Sequence, residues 1–381
     1  MHYLDNAATS HPKPVQVHEA VARCVAMPGN PGRGSSGAAT TAAELLESCR
    51  AKVAAFVGAA NPSRLAFTLN ATDGLNLAIA ALATEGSRIV ASGLEHAAVM
   101  RPLRRLERSR TITLDLIQPS PAGCIDPDDV RRAAIGASLV VVTCASNVTG
   151  VVQPWREIAS ALSGTATPLL LDAAQAVGSV PISFDELGQH VALAFSGHKA
   201  MLGPMGAGVL IVGDALTLGP WREGGTGDSL DELQPVAMPR RLEAGTPPLP
   251  AIAGLAAGVD WWERTGPEII RARESAMMRN VVDGLASIQG VVVPGAVIGD
   301  ASPASTPLIG FRVEGWSVHE LAAALESEFS VIVRAGLHCA PDAHGTLGTH
   351  PEGTVRASIG PTTTDADVTA LLGAVARLSA A

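Results

Sequence analysis

The stretch Phe195-Ser196-Gly197-His198-Lys199 follows a predicted strand and carries one of only three lysines in the chain, against 24 arginines. Because arginine supplies most of the basic charge, a lysine at this position indicates a chemical function that arginine cannot perform. Arginine stays protonated, whereas a lysine amine loses its proton in a suitable site and forms a Schiff base with an aldehyde. The stretch therefore predicts a strand-end lysine with a chemical role, and a surface lysine is the alternative.

A carboxylate, Asp172, ends another apolar strand upstream of Lys199. An aspartate facing a pyridinium nitrogen and a lysine that forms a Schiff base are the protein's part of pyridoxal phosphate chemistry. The two residues together predict such a site. Their spacing alone leaves open a helix-capping aspartate beside a surface lysine.

Composition narrows the class of protein. The chain has 381 residues, of which 47% are hydrophobic and 17% charged, so it is long enough for two domains and apolar enough to fold. A net charge of -9 and a pI near 5.6 argue against a nucleic-acid partner. No apolar run reaches the length of a membrane span, and the segment from Met1 to Asp5 has no targeting pattern, so we expect a cytoplasmic protein without a membrane partner.

Five cysteines are dispersed along the chain without a C-x-x-C motif. An odd, scattered set suits a reducing compartment and predicts no disulfide framework. Free cysteine is most often a small buried apolar residue. We expect that state for Cys144 in its apolar strand and for Cys24 and Cys49 on helices.

Short apolar runs alternate with helical patterns, such as residues 73–83 and 155–162, through the first two thirds of the chain. The predicted strands are residues 65–69, 88–91, 111–116, 139–144, 169–172, 191–195 and 208–212. Several runs are apolar on both faces, as in strands that helices cover on both sides. The pattern predicts an α/β fold with a mostly parallel sheet, whose functional site lies at the carboxyl ends of the strands.

The last third of the chain predicts a smaller α/β unit after a Pro/Gly-rich bridge at residues 245–250. Its predicted helices are residues 251–264, 267–287, 318–327 and 364–378, and its predicted strands are residues 291–293, 307–313, 331–334 and 354–358. We expect a large domain over residues 15–250. Residues 1–14 and 251–381 then form the small domain.

The chain resembles the cysteine desulfurases, which are class V aminotransferase-like, fold type I pyridoxal phosphate enzymes. The resemblance runs from Tyr3-Leu4-Asp5-Asn6-Ala7-Ala8-Thr9 to Val355-Arg356-Ala357-Ser358-Ile359-Gly360. Between them lie Asn30-Pro31-Gly32-Arg33-Gly34, Glu95-His96, Ser146-Asn147-Val148-Thr149-Gly150, Asp172-Ala173-Ala174-Gln175, Ser196-Gly197-His198-Lys199, Glu243-Ala244-Gly245-Thr246-Pro247 and Arg334-Ala335-Gly336-Leu337-His338-Cys339-Ala340-Pro341. It implies a large domain with a mostly parallel seven-stranded sheet, a smaller α/β C-terminal domain, and a homodimer with shared active sites.

The resemblance also implies roles around the cofactor ring. Lys199 would hold pyridoxal phosphate as a Schiff base and then move protons on the substrate carbon. Asp172 would keep the pyridine nitrogen protonated, and Gln175 would hydrogen-bond the phenolic oxygen of the ring. His96 matches the imidazole that stacks on the ring, with a core histidine as the alternative.

Further residues match the family's phosphate and substrate ligands. Phosphate needs N–H donors at a helix start. The matching phosphate residues are Ala71, Thr72, Ser196, His198 and Thr246, the last reaching from the neighbouring subunit or else only forming a turn. Arg356 matches the arginine that binds the substrate carboxylate through two hydrogen bonds, or else forms a strand-edge ion pair. Asn147, which also lies near the cofactor oxygen, and Asn6 would assist it. Arg33 is either a substrate residue or a loop-packing residue.

Cys339 decides the reaction that the resemblance implies. Desulfurases need a thiolate that attacks the sulfur of bound L-cysteine, and Cys339 lies in a segment that Pro341, Gly345 and Gly348 mark as a loop. The expected products are L-alanine and a persulfide on Cys339, whose sulfur passes to an acceptor protein or thiol. A buried apolar cysteine is the alternative.

Other functions stay open on the sequence. The short cysteine segment resembles the group II desulfurases, a form shared with selenocysteine lyases, but Leu337 stands where many group II enzymes have a second histidine. Selenocysteine is therefore an alternative substrate, and an epimerase or β-lyase on the same fold is an alternative enzyme. A sulfur-carrier or scaffold subunit without cofactor is the non-enzymatic alternative. His338, Cys339, His344 and His350 match no standard zinc pattern, and no metal is expected.

Overall fold

The computed structural model describes residues 1–32, 34–227, 232–294 and 304–380. The strands are β1 His2–Tyr3, β2 Leu65–Thr68, β3 Ser87–Ser92, β4 Ile112–Ile117, β5 Leu139–Thr143, β6 Leu169–Asp172, β7 Val191–Ser196, β8 Gly208–Val212, β9 Val291–Val292, β10 Leu308–Val313, β11 Val331–Ile332, β12 Arg334–Gly336 and β13 Thr354–Ser358. The α-helices are α1 Val15–Ala26, α2 Gly37–Phe56, α3 Ala71–Leu82, α4 Ala97–Arg108, α5 Pro127–Ala133, α6 Trp155–Leu162, α7 Leu249–Thr265, α8 Pro267–Ser287, α9 Val318–Phe329, α10 Pro341–Thr346 and α11 Asp365–Ser379. Two short 3₁₀ helices cover Pro62–Arg64 and Phe184–Leu187.

The large sheet has seven strands in the order β2-β8-β7-β6-β5-β3-β4. Strands β3 to β7 pair in parallel, and β8 runs antiparallel to both of its neighbours. This confirms the predicted mostly parallel sheet and each of its seven predicted strands, with ends shifted by a residue or so. Helix α3 begins at Ala71, two residues before the predicted start.

Both faces of this sheet are buried, as the strands that are apolar throughout predict. In β5, Val140 and Val142 belong to one hydrophobic cluster, whereas Leu139 and Val141 belong to the cluster on the opposite face. Such burial on both sides leaves the strand ends as the part of the sheet that can carry a polar site.

A second sheet has the order β12-β13-β10-β9, and β1 pairs in parallel with β11. The predicted single strand at residues 331–334 is wrong. Val331 and Ile332 pair with the N-terminal strand, whereas Arg334 starts a new strand against β13. An apolar run shows neither which partner a strand pairs with nor where the pairing changes.

Helices α8, α9 and α11 pack with the second sheet around a separate hydrophobic cluster that includes Phe311 and Leu371. The pairing of β1 with β11 joins the start of the chain to this unit, which supports the expected two-part small domain. The boundaries at residues 14 and 250 stay a prediction. Among the described residues, no helix is long and apolar enough to cross a membrane.

Candidate active site

A cavity of about 240 Å³ lies where the carboxyl ends of the parallel strands face the second sheet. Most of the predicted site residues line it, which brings together positions spread from α3 to β13. They are Ala71, Thr72, His96, Asn147, Asp172, Gln175, Ser196, His198, Lys199, Cys339 and Arg356. Hereafter, the sheet wall denotes the side formed by residues 70–72, His96, Asp172, Gln175 and residues 196–199. The cysteine wall denotes Arg334, His338, Cys339 and Arg356.

Three predicted site residues lie elsewhere. Asn6 lines a smaller neighbouring cavity, and its amide is engaged with the backbone, donating to Ser358 O at 3.0 Å. The exposed Thr246 hydrogen-bonds the side chain of Asn30 at 3.3 Å and does not line the main cavity. Arg33 lies outside the described residues. The roles of all three stay predictions.

Asp172 is buried at the end of β6, directly opposite Thr143 of β5. Its Oδ1 atom accepts a hydrogen bond from Ala174 N at 2.9 Å. Burial raises the pKa of this carboxyl, and the positive charge of Lys199 lowers it. A buried carboxylate with so few donors favours a cationic partner, and a protonated pyridine nitrogen is such a partner.

Lys199 lines the same cavity as Asp172. Burial lowers the pKa of its amine to about 8, the charge of Asp172 raises it, and the charges of Arg356 and Arg334 lower it. A lysine with this pKa has a sizeable neutral fraction near neutral pH, and the neutral amine is the form that attacks an aldehyde.

His96 caps the N-terminus of α4, where its Nδ1 atom accepts a hydrogen bond from Ala98 N at 3.0 Å. Burial and the charge of Lys199 lower its pKa to about 4, so the imidazole is neutral. Because Nδ1 is the acceptor, the proton is on Nε2. The cap fixes both the position of the ring and its tautomer.

The N-terminus of α3 opens into the cavity and presents a set of donors suited to a phosphate. Ser196 Oγ accepts from Ala71 N at 2.9 Å, and the buried Nδ1 atom of His198 has no hydrogen-bond partner within the described part of the chain. Gly208 allows strand β8 to lie close to Asn70 at the start of α3, since a Cβ on residue 208 would lie 2.4 Å from Asn70 Cα. Helix start, serine hydroxyl and unpaired imidazole fit the phosphate end of pyridoxal phosphate.

Arg356 is 2% exposed on β13. Its guanidinium donates to Asp5 Oδ1 and to Asn147 O, both at 3.0 Å, and its buried Nε atom has no partner among the described residues. The alternative of a strand-edge ion pair at the surface does not hold, because the ion pair is buried and Arg356 lines the cavity. The free Nε–H leaves the guanidinium with a donor for a carboxylate.

Cys339 is exposed on the other side of the cavity, in a backbone that is held tightly. His338 and Cys339 have φ angles of 48° and 60°, in the left-handed region that most residues avoid. Asn147 Nδ2 donates to His338 O at 2.6 Å, and Ala97 N donates to Cys339 O at 2.7 Å. The predicted loop after Cys339 is in fact the short helix α10, in which Pro341 takes the first position that favours proline.

Two residues of the site had no role assigned from the sequence. Arg334 lines the cavity, and its Nη2 atom lies 3.9 Å from Cys339 Sγ. Glu95 is fully buried beside His96, and its Oε1 atom accepts from Thr143 N at 2.7 Å. Both were visible in the motifs around Cys339 and His96, and a charged residue inside such a motif is the signal that could have identified them.

The remaining cysteines are distributed as expected. Cys24, Cys49 and Cys144 are buried, whereas Cys124 is partly exposed and does not line the cavity. Within the described ranges, no group of three or more histidine, cysteine, aspartate or glutamate side chains is arranged to hold a metal ion.

The fold and the cavity agree with a family comparison. The family model described as "Aminotransferase class-V" matches residues 2–371, and the chain belongs to that family. Among its relatives, the "Probable cysteine desulfurase 2" of Mycobacterium leprae is 34% identical, with 98% of this chain and 91% of the relative covered. The "Probable cysteine desulfurase" of Pyrococcus abyssi is 31% identical over 99% of this chain and 94% of the relative.

A solved structure agrees. The apo cysteine desulfurase from Thermococcus onnurineus NA1 superposes with a TM-score of 0.91 at 32% identity, covering 99% of this chain and 94% of that chain. The resemblance read from the sequence motifs is therefore confirmed at the level of family and fold.

Proposed function

We propose that the protein is a pyridoxal phosphate-dependent cysteine desulfurase that converts L-cysteine to L-alanine and keeps the sulfur on Cys339. The observation that carries this proposal is that Lys199 and the exposed Cys339 line one cavity together with the buried Arg356. The names of the relatives support the same activity.

The sheet wall would hold the cofactor. Lys199 would bind its aldehyde, Asp172 its ring nitrogen, Gln175 its phenolic oxygen, and His96 would stack on the ring. The start of α3 with Ser196 and His198 would bind the phosphate. When bound, pyridoxal phosphate supplies an electron sink for the substrate carbon that it activates.

The cysteine wall would orient the substrate. Arg356 lines the cavity and is fixed by Asp5 and by Asn147 O, so it would bind a carboxylate with little further loss of side-chain freedom. It would bind the α-carboxylate and direct the side chain of the substrate. Lys199, with its pKa near 8, would take a proton from one position of the substrate and return it at another.

The proposed transfer balances without an external oxidant. The Cys339 thiolate attacks the sulfur of L-cysteine, so that a sulfur–sulfur bond forms and the carbon–sulfur bond breaks. The electron pair of the broken bond stays with carbon, which takes up a proton and becomes the methyl group of L-alanine. The sulfur remains on Cys339 as a persulfide until a thiol or acceptor protein removes it.

The test compares the wild type with Cys339→Ala, with Cys124→Ala as a matched control outside the cavity. Purified protein should bind the cofactor, and the wild type and the control should form alanine and sulfide from L-cysteine with a thiol reductant. Cys339→Ala should keep the cofactor absorbance and lose at least about 100-fold in sulfide formation, because the nucleophile is absent. Normal turnover of cysteine by Cys339→Ala would refute the proposed nucleophile.

Selenocysteine gives the second arm of this test. Turnover of selenocysteine by both proteins, with little turnover of cysteine by the wild type, would reassign the substrate. Loss of one substrate proton without alanine formation would instead indicate an epimerase or β-lyase.

The shared dimer site belongs to the same proposal. Thr246 lies exposed and outside the cavity of its own chain, which suits a residue that serves a neighbouring subunit. Sedimentation of the wild type, and cofactor affinity of Thr246→Val, test that role. If the wild type is a monomer and Thr246→Val binds the cofactor as tightly as the wild type, Thr246 does not serve a neighbouring subunit.

A further inference from the structure

Arg334 and Arg356 lie directly opposite each other on the antiparallel strands β12 and β13. Side chains at opposed positions point to the same face of a sheet, and like charges there repel each other. Both residues line the same cavity. Two cations in such a position indicate a site that receives more than one negative charge.

The two arginines differ in their partners. Arg356 has Asp5 as its counter-ion at 3.0 Å. In the described parts of the chain, Arg334 forms no ion pair with a carboxylate, and its side chain makes one hydrogen bond, the 3.9 Å approach of Nη2 to Cys339 Sγ. The substrate carboxylate accounts for Arg356. Arg334 is left facing the sulfur.

We propose that Arg334 binds the anionic terminal sulfur of the Cys339 persulfide and so retains it until an acceptor arrives. This inference rests on the proposed desulfurase activity. It assigns a positioning residue to the step after alanine formation, in which the persulfide is kept until its sulfur passes to an acceptor. A sulfur–sulfur bond is about 2 Å long. An outer sulfur that lies to one side of the line between Cys339 Sγ and Arg334 Nη2, which are 3.9 Å apart, can come within hydrogen-bond distance of Nη2 and accept a charge-assisted hydrogen bond.

The structure separates this task from substrate binding. Arg334 is only partly buried and lies beside the exposed Cys339, whereas Arg356 is buried and tied to Asp5. A partly exposed cation suits a sulfur that an incoming thiol must reach. A hydrogen bond from Arg334 would also fix the orientation of the outer sulfur toward which the incoming thiol moves.

The experiment uses Arg334→Met, Arg334→Lys and, as matched control, Arg101→Met. Arg101 is an exposed arginine of α4 that does not line the cavity. The first measurement is the rate of iodoacetamide alkylation of Cys339 in the resting holoenzyme, followed by peptide mass spectrometry. Since Arg334 places a cation 3.9 Å from the sulfur that iodoacetamide alkylates, its removal in Arg334→Met should slow the reaction about three- to tenfold at pH 7.5. Arg334→Lys should be intermediate and Arg101→Met unchanged.

The second measurement is a single turnover with one equivalent of L-cysteine, after which a small thiol is added at a fixed concentration to accept the sulfur. Alanine and the persulfide on Cys339 are quantified over time by mass spectrometry. Arg334→Met should form alanine but lose its persulfide at least about fivefold faster than the wild type, and Arg334→Lys should restore part of the retention.

The outcomes distinguish the inference from the function on which it rests. A wild type that forms no alanine refutes the desulfurase activity, and the alkylation rates then still report on the contact between Arg334 and Cys339. If the wild type forms alanine while Arg334→Met keeps its persulfide as long and alkylates as fast, the inference is overturned. A selective loss of turnover with a dicarboxylic substrate would also overturn it, because Arg334 would then bind a second carboxylate.

Discussion

Within the two walls, the cofactor-facing strand ends and the nucleophile Cys339 are held in place by different physical means. Asp172 and Ser196 end neighbouring strands of a sheet whose two faces are buried, so backbone pairing fixes where these side chains lie. Cys339 instead sits in left-handed backbone, held by Asn147 and by Ala97 from other elements. Removing one side chain should therefore leave Asp172 and Ser196 largely in position, whereas the position of Cys339 depends on single hydrogen bonds.

This difference matches the tasks proposed for the two walls. A cofactor that stays bound needs a site whose geometry is set by the core of the fold. A nucleophile that must reach both a substrate and an acceptor needs an exposed position, and single contacts at that position set its geometry. Mutations should therefore separate cofactor binding from sulfur transfer.

The largest effect should come from Lys199→Arg in the sheet wall. Arginine keeps a positive charge but does not lose its proton, so it neither forms a Schiff base nor moves protons. We expect at least about a thousandfold loss of alanine formation, within the range that acid–base groups contribute. Borohydride reduction followed by mass spectrometry should attach the cofactor to the wild type and not to this variant.

Lys52→Arg is the matched control, since Lys52 forms a partly exposed ion pair with Asp260 at 2.5 Å and neither residue lines the cavity. It should retain both the covalent cofactor and activity. Covalent attachment of the cofactor to Lys199→Arg would show that another residue carries the aldehyde.

The sheet wall was also the part that the sequence predicted best. Runs such as Leu169 to Asp172 are apolar on both faces, which fixes them as central strands and places Asp172 at a strand end. The family motifs added Lys199 and Cys339. These patterns are local in sequence, so they can be recognised without knowledge of the tertiary structure.

The cysteine wall was less predictable because its geometry comes from contacts between distant residues. No periodicity shows that Arg334 pairs with Arg356, or that Asn147 supports the carbonyl of His338. The strand break before Arg334 was missed for the same reason. The left-handed backbone at His338 and Cys339 could not be predicted from the sequence either, since histidine and cysteine do not favour that conformation as glycine does.

An intermediate effect should come from Glu95→Gln, which tests whether a neutral acid lies behind His96 of the sheet wall. Glu95 has no cation partner among the described residues, its Oε2 atom is buried without a hydrogen bond, and burial raises its pKa to about 8. Because the folded pKa lies above the unfolded one, its contribution to stability is full below about pH 4.5 and is lost as the pH rises toward 8. The wild type should therefore lose stability relative to Glu95→Gln over that range, on the order of 3 kcal/mol.

Denaturant unfolding of the holoenzymes at pH 5 and pH 8 measures this difference. The exposed Glu263→Gln is the control and should follow the wild type at both pH values. Glu274 is also buried, with its pKa raised to about 8, but it is present in all three proteins and cancels in the comparison. A gap between wild type and Glu95→Gln that is the same at both pH values would mean that Glu95 does not change its charge in the folded protein.

The smallest effect, and the sharpest separation of the two walls, should come from His338→Gly. Glycine adopts the left-handed φ of 48° without strain. It also removes the imidazole, whose Nε2 atom hydrogen-bonds Thr354 O at 3.0 Å and Thr354 Oγ1 at 3.1 Å. Loss of that anchor should loosen Cys339 and slow persulfide formation about tenfold, while the cofactor absorbance and affinity stay as in the wild type.

Ser330→Gly is the matched control because Ser330 also has a left-handed backbone, with φ of 56°, at the C-terminus of α9 and away from the cavity. It should leave activity unchanged and raise stability by about 0.5–1 kcal/mol, since glycine suits that cap position. If His338→Gly instead weakened cofactor binding as much as persulfide formation, a change in the cysteine wall would also disturb the sheet wall, and the two walls would not be independent. Equal rates of persulfide formation in wild type and His338→Gly would show that the imidazole anchor does not position Cys339, and that the carbonyl contacts to Asn147 and Ala97 suffice.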